Sequence, residues 1–570
     1  MKMQNVLSCH VTKIVASGAM ILSLASAAAA QSVHAPPDRS PDYVLFNGKI
    51  FTATDARPYV QAVAVKGERI VAVGTSEEIS SLASAHTIRL DLQGRVVIPG
   101  INDAHYHFLP RPPAHQLTLK EQDPSWEEVK KEITTAVAST PKGTLINTMI
   151  GVAVMDDADA NRATLDRLAP NHPVQLACFW GHCSIFNSSF MRKVGIADKE
   201  PDPPGGYYTR GADRRITGRS IEYANFRLHA KLQHMTPESV QLQDAKELFN
   251  TATRFGVTSI QIMAIGSRDQ TAAIMRKAQS PVRIRVMDFS IFGPNQPMGP
   301  PRVRDLNNVS VNGLKWILDG EPLLRTAATR ESYADSPKTR GQEDFSEKEM
   351  ETMLRESLRR EEPLLVHIVG DRSAEDFLKA MMATGGPAVW SQRRVRIEHG
   401  EGLLPDLIPQ AKELGVIVVQ NPTDFTLGKL FVKRYGTEGA AHRQPFLSLL
   451  RAGIPIAIGS DGATTTPSPM SAPFRPDTEI NPYLNIMFAV DDPFRPEESL
   501  TREQAVIAYT LTAAFAEFAE KDKGSLEPGK LADLAVLSQD IFQVQGSELP
   551  QTESVLTMVG GKIVYDHMTR

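Results

Sequence analysis

Cysteine is scarce. Three occur among 570 residues, Cys9, Cys178 and Cys183, and no two stand in C-x-x-C spacing. A thiolate metal site is therefore not expected. Cys178 and Cys183 keep two readings, a disulfide in an oxidising compartment or a pair of buried free thiols. An excess of charge of one sign is also missing, since 62 Lys and Arg against 66 Asp and Glu leave a formal net charge of -4. That gives no basic stripe for nucleic acid and no acidic tail, so a small molecule is the expected partner. Beyond residue 30 no stretch is apolar enough to span a bilayer. No glycine-rich phosphate loop follows the first strand of the central region, which argues against a dinucleotide-binding sheet.

The start of the chain has its own pattern. Lys2 and Lys13 precede an apolar run over residues 14–30 that ends in Ala28-Ala29-Ala30. Basic, apolar and small residues in that order read as a signal peptide, and the run is too short and too rich in Ala, Ser and Gly for an anchor. Residues 31–42 read as a flexible lead-in. The mature protein is expected to be periplasmic or secreted, with no membrane attachment once the signal is removed; its oligomeric state is left open.

Residues 43–98 predict short strands joined by tight turns, in YVLFNGKIFTA, AVAVKGERIVAVG and TIRLDLQGRVVIPG. Asn47-Gly48 and Lys66-Gly67 supply the turns. The pattern returns over residues 524–570, in ADLAVLSQD and LTMVGGKIVYD with Gly560-Gly561 as a turn. The two pieces are expected to pair into one small β-sandwich, because each alone leaves open edges. Between them, over residues 99–523, short apolar runs alternate with helical stretches such as SEKEMETMLRESLRR. This is an α/β pattern with a parallel sheet covered on both faces. The strand candidates end on His105/His107, Lys315, His367, His399, Asn421 and Asp461. A closed (β/α)8 barrel brings all its strand ends to one mouth, so a TIM barrel is preferred over an open sheet.

His105 and His107 at i and i+2 on a strand project to one face, where both imidazoles reach one ion. The pair is weak evidence alone, because hydrogen-bonded histidines are common at strand ends. His367 and His399 at equivalent strand ends strengthen it. Asp461 can ligate a metal and accept a proton, or else cap the segment that follows. Lys315, flanked by Leu314 and Trp316, is costly to bury as an unpaired cation. It either pairs with Asp319 or Glu321, or loses its proton and reacts with carbon dioxide to form a carbamate.

In order along the chain, PGINDAHYH, GLKWILDG…RTAAT, HIVGDRS, RIEHG and GSDGA resemble the strand-end motifs of the amidohydrolase superfamily. The branch they resemble is that of N-substituted formamide deformylases and YtcJ-like hydrolases. PPGGYYTRGADRRITGRSIEYA and GHCSIFNSS are similar to an insert of that branch, placed here at about residues 172–235. The resemblance runs from about Tyr43 to Tyr565. It implies a TIM barrel with a β-sandwich from both chain ends, and a metal-dependent hydrolase cleaving an amide, N-formyl or cyclic amide C–N bond. It implies one or two divalent ions, with zinc as the expected metal: His105, His107 and Asp461 on one, His367 and His399 on a second, and carboxylated Lys315 between them. Asp461 would also move the proton, while His182 and Glu222 would bind substrate. Two departures touch the expected barrel mouth. Trp180 stands before Gly181-His182 where relatives carry an acidic residue, and the segment after Asp461 is long and rich in Pro and Thr. A mononuclear deaminase using His105, His107, His367 and Asp461, and an exported metal-binding protein without catalysis, are the rival readings.

Overall fold

Eight apolar runs pair side by side, all parallel, in the order of the chain. In this computed structural model, which describes residues 40–120, 123–294, 303–306, 308–462 and 480–568, they are β1 (Ile101–Tyr106), β2 (Val257–Ile265), β3 (Arg283–Phe289), β4 (Val309–Ile317), β5 (Leu364–Ile368), β6 (Arg396–His399), β7 (Ile417–Gln420) and β8 (Ile456–Ile458). Every residue of β1, β2, β5, β6, β7 and β8 is buried. Strands covered on both faces take largely apolar runs rather than strict alternation, as in LLVHI of β5, IVVQ of β7 and IAI of β8. The sheet nearly closes. After β8 the Ser460 amide donates to Asp103 Oδ1 (2.9 Å) and the Asp461 amide donates to the His105 carbonyl (2.8 Å). The signal and most of the lead-in lie outside the described residues, as does the Pro/Thr-rich segment over 463–479.

Helices fill the links. Glu347–Arg360 begins in a capping box of Ser346 and Glu349 and buries Met350, Met353, Leu354 and Ser357 at helical spacing. Its apolar stripe joins Phe377, Val366 and Ile397 in one continuous core. Among the described residues no helix is long and apolar enough to cross a membrane.

The two ends of the chain meet. A six-stranded sheet runs Lys562–Asp566, Ser554–Val559, Leu534–Leu537, Val96–Pro99, Lys49–Phe51 and Tyr59–Val60. A four-stranded sheet of Arg69–Gly74, Ala62–Lys66, Tyr43–Phe46 and Ile88–Asp91 packs with it around Leu45, Val63, Val97, Leu534 and Leu556. A further six-stranded sheet, between β1 and β2, runs Gly206–Arg210, Ile216–Glu222, Cys183–Phe186, Val174–Cys178, Ile146–Ile150 and His115–Gln116. This insert sheet therefore reaches back to His115, ahead of the segment over residues 172–235 that the motifs marked. Its strands end beside the barrel mouth, where Cys178 and Cys183 are joined as a disulfide with Cα atoms 5.3 Å apart. The open choice at these cysteines is thus decided for the bridge, which closes a short loop around Trp180 and His182.

Candidate metal centre

His105 and His107 leave the end of β1 with their Nε2 atoms 3.2 Å apart. Their other nitrogens are occupied. His105 Nδ1 meets Glu398 Oε2 at 2.6 Å, and His107 Nδ1 donates to the Met263 carbonyl at 3.1 Å. A carbonyl only accepts, so the proton of neutral His107 is fixed on Nδ1 and its Nε2 carries a bare lone pair. Glu398 fixes His105 in the same way, because Arg396 donates to both oxygens of that carboxylate (2.8 and 3.1 Å). Asp461 Oδ1 completes the triangle, 3.5 Å from His105 Nε2 and 3.4 Å from His107 Nε2.

Three lone pairs therefore converge with no proton between the two imidazoles. Ligand atoms about 2.0–2.1 Å from one tetrahedral ion stand about 3.3 Å apart. The observed edges of 3.2, 3.4 and 3.5 Å fit that spacing. The residues present suit a divalent cation of the zinc type, with the carboxylate–histidine relay that orients such ligands.

Electrostatics keep the imidazoles ready. Burial first, then the Lys315 charge, holds His107 down to about 3 and His105 well below the usual imidazole range. His367 and His399 are likewise held well below it, by burial and then by their histidine neighbours. All four imidazoles are therefore neutral at physiological pH. Asp103, pushed up to about 6 by burial, accepts from the Ser460 hydroxyl and from the Ser460 and His105 amides, tying the first strand end to the last.

The remaining motif residues divide. His399, Asp461 and His105 place ligand atoms within 4.8 Å of one another, so His399 stands beside the first centre. His367 groups with His182 and Glu321 under the same limit. Its ring also lies 4.4 Å from that of His399, centroid to centroid. Lys315 is buried, and its Nζ has no hydrogen-bond partner among the described residues. The pairing with Asp319 is absent, because that carboxylate accepts from the amides of Ala328, Val369 and Gly370. His182 Nδ1 meets Glu222 Oε2 at 2.5 Å, and Glu222, only 1% exposed, lies behind the histidine. Asn421 donates to the Gly459 carbonyl and braces β7 against β8.

His399, Asp461 and Glu222 hold left-handed backbone, with φ of 67°, 59° and 50°. Each costs on the order of 1–3 kcal/mol and persists where surrounding structure over-determines it. The alternative role of Asp461, as a cap of the segment that follows, falls on residues 463–479 and lies outside the described residues. Glu398, Arg396 and Asp103 escaped the sequence reading, and Glu321 entered it only as a pairing partner for Lys315. Glu398 and Arg396 carried a signal, because i and i+2 charges on an otherwise apolar strand must face each other inside a barrel.

The chain belongs to the Amidohydrolase family, whose pattern it matches over residues 89–565. It is 26% identical to Protein LONG AFTER FAR-RED 3 of Arabidopsis thaliana over 92% of this chain and 91% of that one. It is 25% identical to an N-substituted formamide deformylase of Arthrobacter pascens, over 92% and 98% of the two chains. Similarity to the putative amidohydrolase YtcJ of Bacillus subtilis is 24%, over 91% and 98%. In fold it resembles an uncharacterized metal-dependent hydrolase from Pyrococcus horikoshii, with a TM-score of 0.65 at 19% identity over 89% of this chain and 99% of that one. Family and geometry together define a hydrolase of the amidohydrolase superfamily with candidate His/Asp metal sites.

Proposed function

We propose that the protein is an exported metal-dependent hydrolase that cleaves a C–N bond of a small amide, N-formyl or cyclic amide substrate. The observation that carries the reading is the proton-free triangle of His105 Nε2, His107 Nε2 and Asp461 Oδ1. Similarity to a protein named N-substituted formamide deformylase, over nearly the full length of both chains, supports the bond class. The reading of the first thirty residues as a signal supports export.

His105, His107 and Asp461 would hold the cation, with His399 alongside. When bound, a divalent cation supplies Lewis acidity and makes water available as a nucleophile near neutral pH. The chain's own residues do the rest. Glu398 and the Met263 carbonyl keep both imidazoles in one tautomer and one orientation. Asp461, whose side chain is 16% exposed, would hold the cation through Oδ1, accept the proton of the attacking water at Oδ2 and return it to the leaving nitrogen. Lys315 presents an amine with no hydrogen-bond partner among the described residues, which burial pushes down to about 8 against the pull of Glu398 and Asp461. An amine in that state reacts with carbon dioxide, and we assign Lys315 as a carboxylated residue on this basis.

The test is metal analysis of the mature protein together with assays on N-formyl and N-acyl amines. His105→Asn should remove metal and activity together. Full activity in chelated protein would overturn the reading, and activity only on exocyclic amines of heterocycles would move it to deamination.

A further inference from the structure

We propose that His182, Glu321 and His367 form a second divalent-cation site, shared between the insert sheet and the barrel. The ligand set that the family resemblance implied for a second metal was different, pairing His367 with His399 through carboxylated Lys315. This inference rests on the metal-dependent reading above.

The three side chains come from separate elements. His182 lies in the loop closed by the Cys178–Cys183 disulfide, Glu321 follows β4, and His367 stands on β5. His182 Nε2 is 3.8 Å and His367 Nε2 is 3.6 Å from the same oxygen, Glu321 Oε1. Both distances are too long for hydrogen bonds and within reach of two ligands on one ion about 2.0–2.1 Å from each. His367 is 2% exposed, and its Nε2 has no hydrogen-bond partner among the described residues. A buried nitrogen left this way is costly, and a bound cation would satisfy it.

The supporting shell is the kind metal ligands use. Glu222 accepts from His182 Nδ1 as Glu398 does from His105 Nδ1, so two carboxylate–histidine relays stand in one mouth. Thr326 donates to Glu222 Oε1, and its hydroxyl accepts from the Glu321 amide, joining relay and ligand. Gly320 makes room, because a methyl group there would lie 2.2 Å from both Glu222 Oε1 and Thr326 Oγ1. Two histidines and one carboxylate select a borderline cation such as zinc over magnesium or calcium.

Zinc equivalents in the full mature chain, by elemental analysis after dialysis, test the site. Wild type should carry two per chain, Glu321→Gln and His182→Asn one, and zinc-edge anomalous diffraction of wild type should show a peak among His182, Glu321 and His367. Two retained equivalents in both variants would overturn the proposal, as would a second peak on Lys315 and His399. A single wild-type equivalent that His105→Asn removes would overturn this inference and leave the hydrolase reading standing. No bound zinc at all would overturn both. Because Glu321→Gln preserves shape at a partly exposed position, circular dichroism separates its ligand loss from misfolding.

Discussion

A histidine becomes a metal ligand only when something else fixes its proton. At His105 that is Glu398, a residue of β6 nearly three hundred positions away in sequence. Glu398→Gln is expected to weaken zinc binding by about 10–100-fold, the usual loss for such outer partners. Competition against a chelator of known affinity measures it, and unchanged affinity would remove the relay from the argument. Lys315 gives a pH prediction. Its amine titrates near 8 in the folded chain against an ordinary 10.5. Between those values the unfolded chain binds more protons than the native one, so stability rises with pH across that window, and below it the cost of this group is full and constant with pH. The urea midpoint of metal-free protein should climb from pH 8 to 10 relative to Lys315→Met. Over the same range, bicarbonate should raise the intact mass by one carboxyl group in wild type only.

At the scale of elements, the barrel interior is held by polar cross-links as well as apolar packing. Arg396 on β6 is fully buried and donates to Glu398, to Gln261 on β2 and to the Ala104 carbonyl on β1. Removing one partner from a buried charge cluster is far more damaging than never having built it. Arg396→Met should cost about 3–5 kcal/mol, read as a lower urea midpoint in chelated protein. A midpoint within error of wild type would show that Glu398 finds another donor. Close approach matters as well. A methyl group on Gly459 would stand 2.5 Å from the His105 backbone nitrogen, so the last strand end can lie against the first only with glycine there.

At the scale of the molecule, the two chain ends form one unit. Leu534–Leu537 pairs with Val96–Pro99, and Asp533 takes two hydrogen bonds from Arg283 at the start of β3. The end sheet is therefore fastened to the barrel on the side where strands begin, away from the metal centre. Deleting residues 534–570 would uncover Leu45, Val63 and Val97 and open the edge of Val96–Pro99. The truncated chain should be found in the insoluble fraction, and supplying the missing segment in trans should recover soluble protein. Soluble, metal-loaded truncated protein would show the barrel to be self-sufficient.

Much of this was legible in the sequence, for a definite reason. Strands buried on both faces leave largely apolar runs, and a barrel converts scattered strand-end residues into neighbours, so His105, His107, Lys315, His367, His399 and Asp461 could be read as sharing one mouth from order alone. The pairing of the chain ends was legible too, through matching turns and open edges. What only the tertiary structure decided is which partner each polar atom takes. That His367 faces Glu321 and His182, that Glu222 lies behind His182, and that Lys315 is left without a hydrogen-bond partner among the described residues depend on side-chain direction and on backbone turned left-handed at His399, Asp461 and Glu222. Periodicity fixes which residues share a mouth, whereas angstrom-scale contacts between distant segments determine which of them can share an ion.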